Sequence, residues 1–184
     1  MRRAPLALFA LLLLAGCQEE PAVPPPQPVA LTEDSLSHFC QMWIADHAGP
    51  KAQIHLEGQP APLFFAQVRD AVAYLRSPER SAPITAVYVS DMAKAASWEQ
   101  PGADNWIAAE EAAFVVGGDL AGGMGAPEVA PFGTRAAAES FAARHGGEIM
   151  TLDQIPAQAV LGAIDFELPH DQEPEEEEAR ETAQ

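Results

Sequence analysis

The chain has 184 residues, and its 27 Asp and Glu outnumber 10 Lys and Arg to give a formal net charge of −17. This length suits one compact domain or two small fused units, and a hydrophobic content of 48% allows a sizeable core. The acidic balance and the lack of any Lys or Arg run argue against nucleic acid as a partner, because phosphate binding needs cationic side chains.

Residues 1–16 are predicted to be a lipoprotein signal peptide. Two arginines precede the apolar run 6–14, which is too short to span a bilayer. The segment ends in Leu-Ala-Gly-Cys, which resembles the bacterial lipobox, so Cys17 is expected to carry lipid and anchor the mature chain. Gln18 stands where Asp typically retains a lipoprotein at the inner membrane. Sorting to the outer membrane, facing the periplasm, is therefore favoured.

The two ends of the mature chain are predicted to lie outside the folded part. Residues 17–30 contain the lipidated cysteine and a proline-rich stretch, which predicts a semi-extended tether. Residues 167–184 carry eight acidic side chains and one Arg, which predicts a disordered tail. The tail is interpreted as a solubilising segment; the alternative is an electrostatic lure for a cation or a basic partner.

The folded region is predicted to be α+β, with a first ββαβ unit over residues 31–100. Short apolar or alternating runs predict strands, and apolar positions at helical spacing predict a helix. These elements are strands at 39–44 and 51–56, a helix at 64–76 and a strand at 84–89.

The same order of elements recurs in residues 101–166, which are predicted to form a second ββαβ unit. Its predicted elements are strands at 107–117 and 127–131, a helix at 134–144 capped by Thr134, and a strand at 148–152. The similar segments 62–65 (PLFF) and 130–133 (APFG), each before a helix, favour an ancient duplication.

Cys40 is the only thiol that remains once Cys17 carries lipid, and Met42 follows two positions later. On the predicted strand both side chains would share one face, so the thiolate and the thioether would converge. Such a soft pair selects Cu(I) over hard cations. Zinc is the rival metal, although a structural zinc site normally needs four Cys or His ligands. The alternative without a metal is that both residues belong to the core.

Met124 is a candidate third ligand, because three glycines surround it in a loop that can bring its sulfur to a metal. His47, near the Gly49 turn, and His38, on the predicted strand face of Cys40, are competing donors. A single free Cys with several His also admits a Cys–His nucleophile, but no nucleophile signature or orienting acid is present.

Several blocks of the chain together resemble the NosL family, the copper-chaperone lipoproteins of nitrous oxide reductase maturation. They are 40–44 (CQMWI), 46–47 (DH), 49–54 (GPKAQI), 87–91 (VYVSD), 122–125 (GGMG) and 132–143. The family motif often has Gly between Cys and Met; Gln41 departs from it, and its side chain is expected to face away from the metal.

The resemblance implies a membrane-anchored, non-enzymatic Cu(I) metallochaperone of denitrification. Cu(I) would bind through Cys40 and Met42, with Met124 as the third ligand and His47 or His38 as its alternatives. The expected partners are apo nitrous oxide reductase and the ABC-type transporter complex of the same maturation system. The family architecture, tandem ββαβ units, is similar to that of organomercury lyase.

Two other functions compete with the chaperone hypothesis. A thiol enzyme resembling the lyase would be expected to need a cysteine pair, and only Cys40 is available. A metal-free or copper-storing lipoprotein scaffold would tolerate replacement of Cys40 if it binds no metal.

Overall fold

The computed structural model describes residues 24–162. Its strands and helices are β1 (Ala52–Leu56), β2 (Leu63–Phe65), α1 (Val68–Arg76), β3 (Ile84–Ser90), β4 (Trp106–Ala108), β5 (Ala113–Ala121), β6 (Pro127–Phe132), α2 (Arg135–His145), β7 (Glu148–Met150) and α3 (Ala157–Leu161). Single 3-10 turns lie at Ile44–Asp46 and Leu152–Gln154. No helix within this part of the chain has the length and apolar character needed to cross a membrane.

The strands form two antiparallel sheets, with the orders β2-β1-β3-β4 and β6-β5-β7. In each sheet the first strand along the chain lies between its hairpin partner and the strand that follows the helix. The elements β1, β2, α1, β3 and β5, β6, α2, β7 therefore repeat one arrangement. The predicted α+β class and tandem ββαβ order are confirmed.

The strand predicted over residues 39–44 is wrong. The strand-like pairing of this segment is limited to one isolated antiparallel bridge, between Trp43 and Leu36. Gln41 has a φ of +57°, which lies in the left-handed region and is incompatible with a strand. The run of apolar residues is typical of a strand, but Phe39 and Trp43 are about half exposed, at 50% and 57%.

Two further boundaries differ from the prediction. The helix expected from residue 64 begins at Val68, because Leu63–Phe65 pairs with β1 and supplies the second strand of the first unit. The single strand predicted over residues 107–117 is two strands, and β4 pairs with β3 while β5 forms the centre of the other sheet. The chain changes sheet at residues 109–112, where a turn interrupts the apolar run.

The other predicted elements are confirmed to within two residues at their ends. Helix α2 begins after Thr134, whose hydroxyl accepts a hydrogen bond from the Ala137 N–H at 3.2 Å. It ends at Gly146, whose φ of +69° is accessible to glycine without strain.

The main core is shared by the two sheets. Helix α1 contacts β1 and β2 of the first sheet and β6 of the second. Phe65, Val72 and Phe114 are buried in this cluster, one from each of β2, α1 and β5. A smaller cluster under α2 contains Phe132 and Phe141. Because α1 packs between the sheets, its N-terminal end lies where loops from both meet.

The end of the predicted tether lies on the first sheet. Residues 24–30 have no regular secondary structure. The Gln53 side chain donates to the Val29 carbonyl at 2.9 Å and accepts from the Val29 N–H at 2.8 Å. The Tyr88 hydroxyl donates to the Pro26 carbonyl at 2.7 Å. These residues therefore do not act as a free spacer. The predicted signal peptide, the lipid site at Cys17 and the acidic tail lie outside the described residues.

Candidate metal centre

Cys40 lies in a tight hairpin, named here the Cys40 hairpin (residues 35–44). Its two arms are joined by hydrogen bonds from Ser37 N–H to the Met42 carbonyl and from Ile44 N–H to the Ser35 carbonyl, each at 2.9 Å. Cys40 is a free, partly exposed thiol in the turn between the arms. Cys40 is therefore not part of the buried core.

The left-handed conformation of Gln41 shapes this turn. Its N–H donates to the Ser37 carbonyl at 2.9 Å, and its side-chain amide donates to the His38 carbonyl at 2.7 Å. The prediction that Cys40 and Met42 converge because they share a strand face is therefore wrong in its geometry. A left-handed residue between them also gives the physical reason why glycine suits this position.

Met124 lies in a second tight turn, named here the Met124 turn (residues 122–125). The turn is closed by hydrogen bonds from Gly125 N–H to the Gly122 carbonyl at 2.9 Å and from Gly122 N–H to the Ala126 carbonyl at 2.8 Å. Its methionine side chain is 41% exposed, close to the 46% of Met42. Both thioethers are thus presented at the surface.

The structure brings these two loops onto one short segment, residues 64–67, named here the α1 entry segment. On the side of the Cys40 hairpin, His38 N–H donates to the Phe64 carbonyl at 2.7 Å, and the Ser37 hydroxyl accepts from Ala66 N–H at 3.2 Å. On the other side, Met124 N–H donates to Gln67 Oε1 at 3.1 Å. The candidate ligands come from distant parts of the chain but share this support.

The two histidines named as competing donors differ in their surroundings. The His38 ring packs against the rings of Phe65 and Tyr74, with centroids 5.7 and 5.6 Å away. His47 is buried beneath the Met124 turn, and its Nδ1 lies 3.3 Å from the Gly123 carbonyl oxygen. A carbonyl only accepts, so Nδ1 carries a proton and Nε2 of the neutral ring holds a lone pair.

That arrangement of His47 matches one common to metal-binding histidines, in which the second ring nitrogen donates to a backbone carbonyl. Its Nε2 is buried and has no hydrogen-bond partner among the described residues. His47 therefore stays a candidate donor beside Met124, whereas His38 is part of an aromatic cluster. Between residues 24 and 162 no three His, Cys, Asp or Glu side chains are grouped so that they could hold a metal.

Sequence reasoning missed the buried charges behind the two loops. Lys51 is almost fully buried, and its ammonium donates to the carbonyls of His47, Ala48 and Ala66 at 2.6, 3.0 and 3.2 Å. Burial lowers the pKa of Lys51 to about 8, while the nearby Glu128 acts in the opposite direction. The lysine ties the residues after the Cys40 hairpin to the α1 entry segment. Lys51 stands directly before β1, where a lysine is ordinarily exposed, so no local signal marked its burial.

Glu128, on β6, is the second missed residue. Its Oε1 accepts the backbone N–H groups of Arg69 and Val129, each at 2.8 Å. Burial raises the pKa of Glu128 to about 8, and the two hydrogen bonds to the carboxylate oppose that rise. The carboxyl group is therefore mostly protonated at neutral pH, although it stands at a helix N-terminus that favours negative charge.

The fold and these loops define a small α+β protein that presents exposed sulfur-containing side chains on a hydrogen-bonded scaffold. A NosL family profile matches residues 28–160. The chain belongs to the NosL family.

Individual relatives agree with this assignment. The chain is 50% identical over 161 residues to the copper-binding lipoprotein NosL of Achromobacter cycloclastes, covering 87% of this chain and 83% of that protein. It is 34% identical over 159 residues to the copper-binding lipoprotein NosL of Stutzerimonas stutzeri, covering 84% and 80%. The crystal structure of the copper chaperone NosL from Shewanella denitrificans matches with a TM-score of 0.68 at 32% identity, covering 72% of this chain and 97% of that one.

Proposed function

We propose that this protein is a lipid-anchored periplasmic copper chaperone that binds Cu(I) through Cys40, Met42 and Met124. The observation that carries the proposal is that the Cys40 hairpin and the Met124 turn, both held by the α1 entry segment, present one thiol and two thioethers. The chain is also 50% identical in sequence to a copper-binding lipoprotein. Thiolate and thioether ligands are soft and select Cu(I). His47 is the alternative third ligand.

Exposure of the ligands supports transfer rather than storage. A partner's ligand can attack the metal while the original ligands still hold it, provided that the site is open and has few ligands. The Met42 and Met124 side chains are exposed by 46% and 41%, and Cys40 is partly exposed. A buried site with more ligands would slow such exchange.

The surface around these ligands is apolar. Residues 24–162 expose seven large hydrophobic side chains, and five of them lie on the Cys40 hairpin or the Met124 turn. They are Leu36, Phe39, Met42, Trp43 and Met124. Clustered apolar surface of this kind is typical of a protein-docking site. We propose that it meets apo nitrous oxide reductase or the ABC-type transporter complex during delivery.

Attachment to the membrane is proposed to occur through lipid on Cys17, with the outer membrane favoured. The named relatives are lipoproteins, and the Leu-Ala-Gly-Cys sequence of this chain supplies the matching signal. Removal of Cys17 should release the protein from membranes and leave Cu(I) binding by the soluble form intact. Loss of Cu(I) binding would show that the two functions are not separable.

The ligand assignment is tested by anaerobic Cu(I) titration against a competing chelator. Cys40→Ser should lose most of the affinity because a hydroxyl is a hard, neutral ligand. Met42→Leu and Met124→Leu keep the side-chain volume and should weaken binding without unfolding the protein. His47→Gln distinguishes the alternative third ligand, and Met92→Leu, in the smaller core cluster, is the matched methionine control. If Cys40→Ser and Met42→Leu bind as the parent does, the site has been misplaced.

Delivery is tested by mixing the copper-loaded protein with copper-free nitrous oxide reductase and its transporter complex. We expect Cu(I) to move to the reductase faster than it dissociates into a chelator alone. A cell that lacks the protein should make reductase short of copper when copper is scarce. Full copper content and activity under those conditions would contradict a delivery role and favour a store or scaffold.

A further inference from the structure

The Gln67 side chain, at the start of α1, forms hydrogen bonds outside the helix backbone. Gln67 is the N-cap residue of α1 and is buried, yet its side chain makes no capping hydrogen bond. Its Oε1 instead accepts from Met124 N–H at 3.1 Å, and its Nε2 donates to Asp70 Oδ2 at 3.2 Å. The Gln67 side chain therefore holds the backbone of the Met124 turn and does not cap its own helix.

Glu128 supplies the missing cap from another strand. Its Oε1 accepts the N–H of Arg69, the second residue of α1, at 2.8 Å. Its other oxygen, Oε2, is buried and has no hydrogen-bond partner among the described residues. A carboxyl group on β6 thus orders the first turn of α1 and leaves Gln67 available for the Met124 turn.

The Met124 turn is in close contact with both groups. A Cβ added at Gly122 would overlap Gln67 Oε1 and would lie 2.6 Å from Glu128 Oε2. A Cβ at Gly123 would lie 2.5 Å from the His47 Cβ. The two glycines therefore allow the turn to pack directly onto the buried oxygens and onto His47.

We propose that Gln67 and Glu128 are positioning residues for the Met124 thioether. Gln67 holds the turn through the Met124 N–H, and Glu128 fixes the start of α1 and with it the place of Gln67. Neither residue is proposed to touch the metal. This inference rests on the proposed role of Met124 as a copper ligand and adds what holds the turn that carries that ligand on the α1 entry segment.

Without Gln67 the Met124 amide would lose its acceptor, and the turn would sample orientations in which its sulfur points away from the metal. Loss of one such hydrogen bond corresponds to an affinity decrease of about threefold to tenfold. The decrease in affinity cannot exceed that caused by removal of the Met124 thioether, because a misplaced thioether contributes at least as much binding free energy as an absent one.

The first test is a double-mutant cycle with Gln67→Leu and Met124→Leu, measured as Cu(I) dissociation constants against a chelator. Gln67→Leu should weaken binding, and the double variant should bind no more weakly than Met124→Leu alone. Gln59→Leu, at an exposed position, is the matched control and should bind as the parent does. Independent, additive effects, or no effect of Gln67→Leu, would overturn the inference.

The second test does not depend on copper. In the copper-free protein, hydrogen exchange at the Met124 amide should accelerate in Gln67→Leu, because this amide has lost its acceptor. Glu128→Leu should accelerate the same amide, and Glu128→Gln should restore the parent rate because its Oε1 still accepts from Arg69. An unchanged Met124 exchange rate in Gln67→Leu overturns the inference. If exchange responds as expected but Cys40→Ser binds Cu(I) like the parent, the copper assignment fails and the support of the turn stands.

Discussion

Replacement of Glu128 by Gln should make the protein more stable than the parent at alkaline pH while leaving it nearly unchanged at acidic pH. The parent carboxyl group is 4% exposed, and burial raises its pKa to about 8. The introduced amide retains an oxygen for the Arg69 and Val129 N–H groups and replaces Oε2 by a neutral nitrogen. The Gln side chain therefore stays neutral at every pH, as the protonated Glu128 carboxyl group is at low pH.

The magnitude follows from the difference between the folded and unfolded pKa values. The folded protein keeps a proton that the unfolded chain releases near the ordinary glutamate pKa of 4.5, so stability falls as pH rises from about 4.5 to about 8. At 1.36 kcal/mol per pKa unit, the loss of unfolding free energy is at most about 5 kcal/mol. Relaxation of the structure around the carboxylate reduces this value.

Lys51 acts in the opposite direction over a higher pH range. Its pKa is lowered from 10.5 to about 8, so the folded protein releases a proton that the unfolded chain still holds. Stability therefore rises as pH increases from about 8 to about 10.5. The two residues together predict a minimum in the unfolding free energy near pH 8.

Urea denaturation of the soluble chain across this pH range measures both effects. The parent should lose stability between about pH 5 and pH 8, and Glu128→Gln should lose much less. The pH dependence of the unfolding free energy that remains in Glu128→Gln includes the contribution of Asp70, whose pKa is also raised by burial. Glu110→Gln, at an exposed position, is the control and should follow the parent. Parallel pH curves for Glu128→Gln and the parent would refute the buried, protonated carboxyl.

Three further predictions concern backbone geometry. Gln41→Gly should change the unfolding free energy by less than about 1 kcal/mol, because relief of the left-handed strain offsets the lost side-chain hydrogen bonds. Gln41→Val should destabilise the protein by about 1–2 kcal/mol. Chemical denaturation of the two variants and the parent measures both effects. Thr134→Ala should destabilise by about 1 kcal/mol in the same assay through loss of the cap to α2, and an unchanged midpoint would show that the cap is dispensable. Gly123→Ala should displace the Met124 turn from His47 and weaken Cu(I) binding, and titration at parent affinity would contradict this packing.

The elements that the sequence predicted well are those whose signals are local. Helix α2 has its cap at Thr134 and its terminating glycine next to it in the sequence, and the central strand β1 directly follows the Gly49-Pro50 turn signal. The donor types were also visible locally, because a cysteine two positions before a methionine and a glycine-flanked methionine can be read directly from the sequence. The family resemblance rested on the same short blocks.

Only the tertiary structure decided the geometry of the Cys40 hairpin and the Met124 turn. Residues 39–44 have strand composition, yet the left-handed Gln41 places them in a hairpin that exposes Phe39, Met42 and Trp43 and buries Ile44. Likewise, β4 and β5 lie in one apolar run but join different sheets, because strand pairing depends on distant partners. The burial of Lys51 and Glu128, and the support that Gln67 gives to Met124, arise from segments about 15 to 77 residues apart that meet only after folding. Local patterns determine what each segment tends to form, whereas burial and hydrogen-bond satisfaction in the whole fold determine which side chains meet.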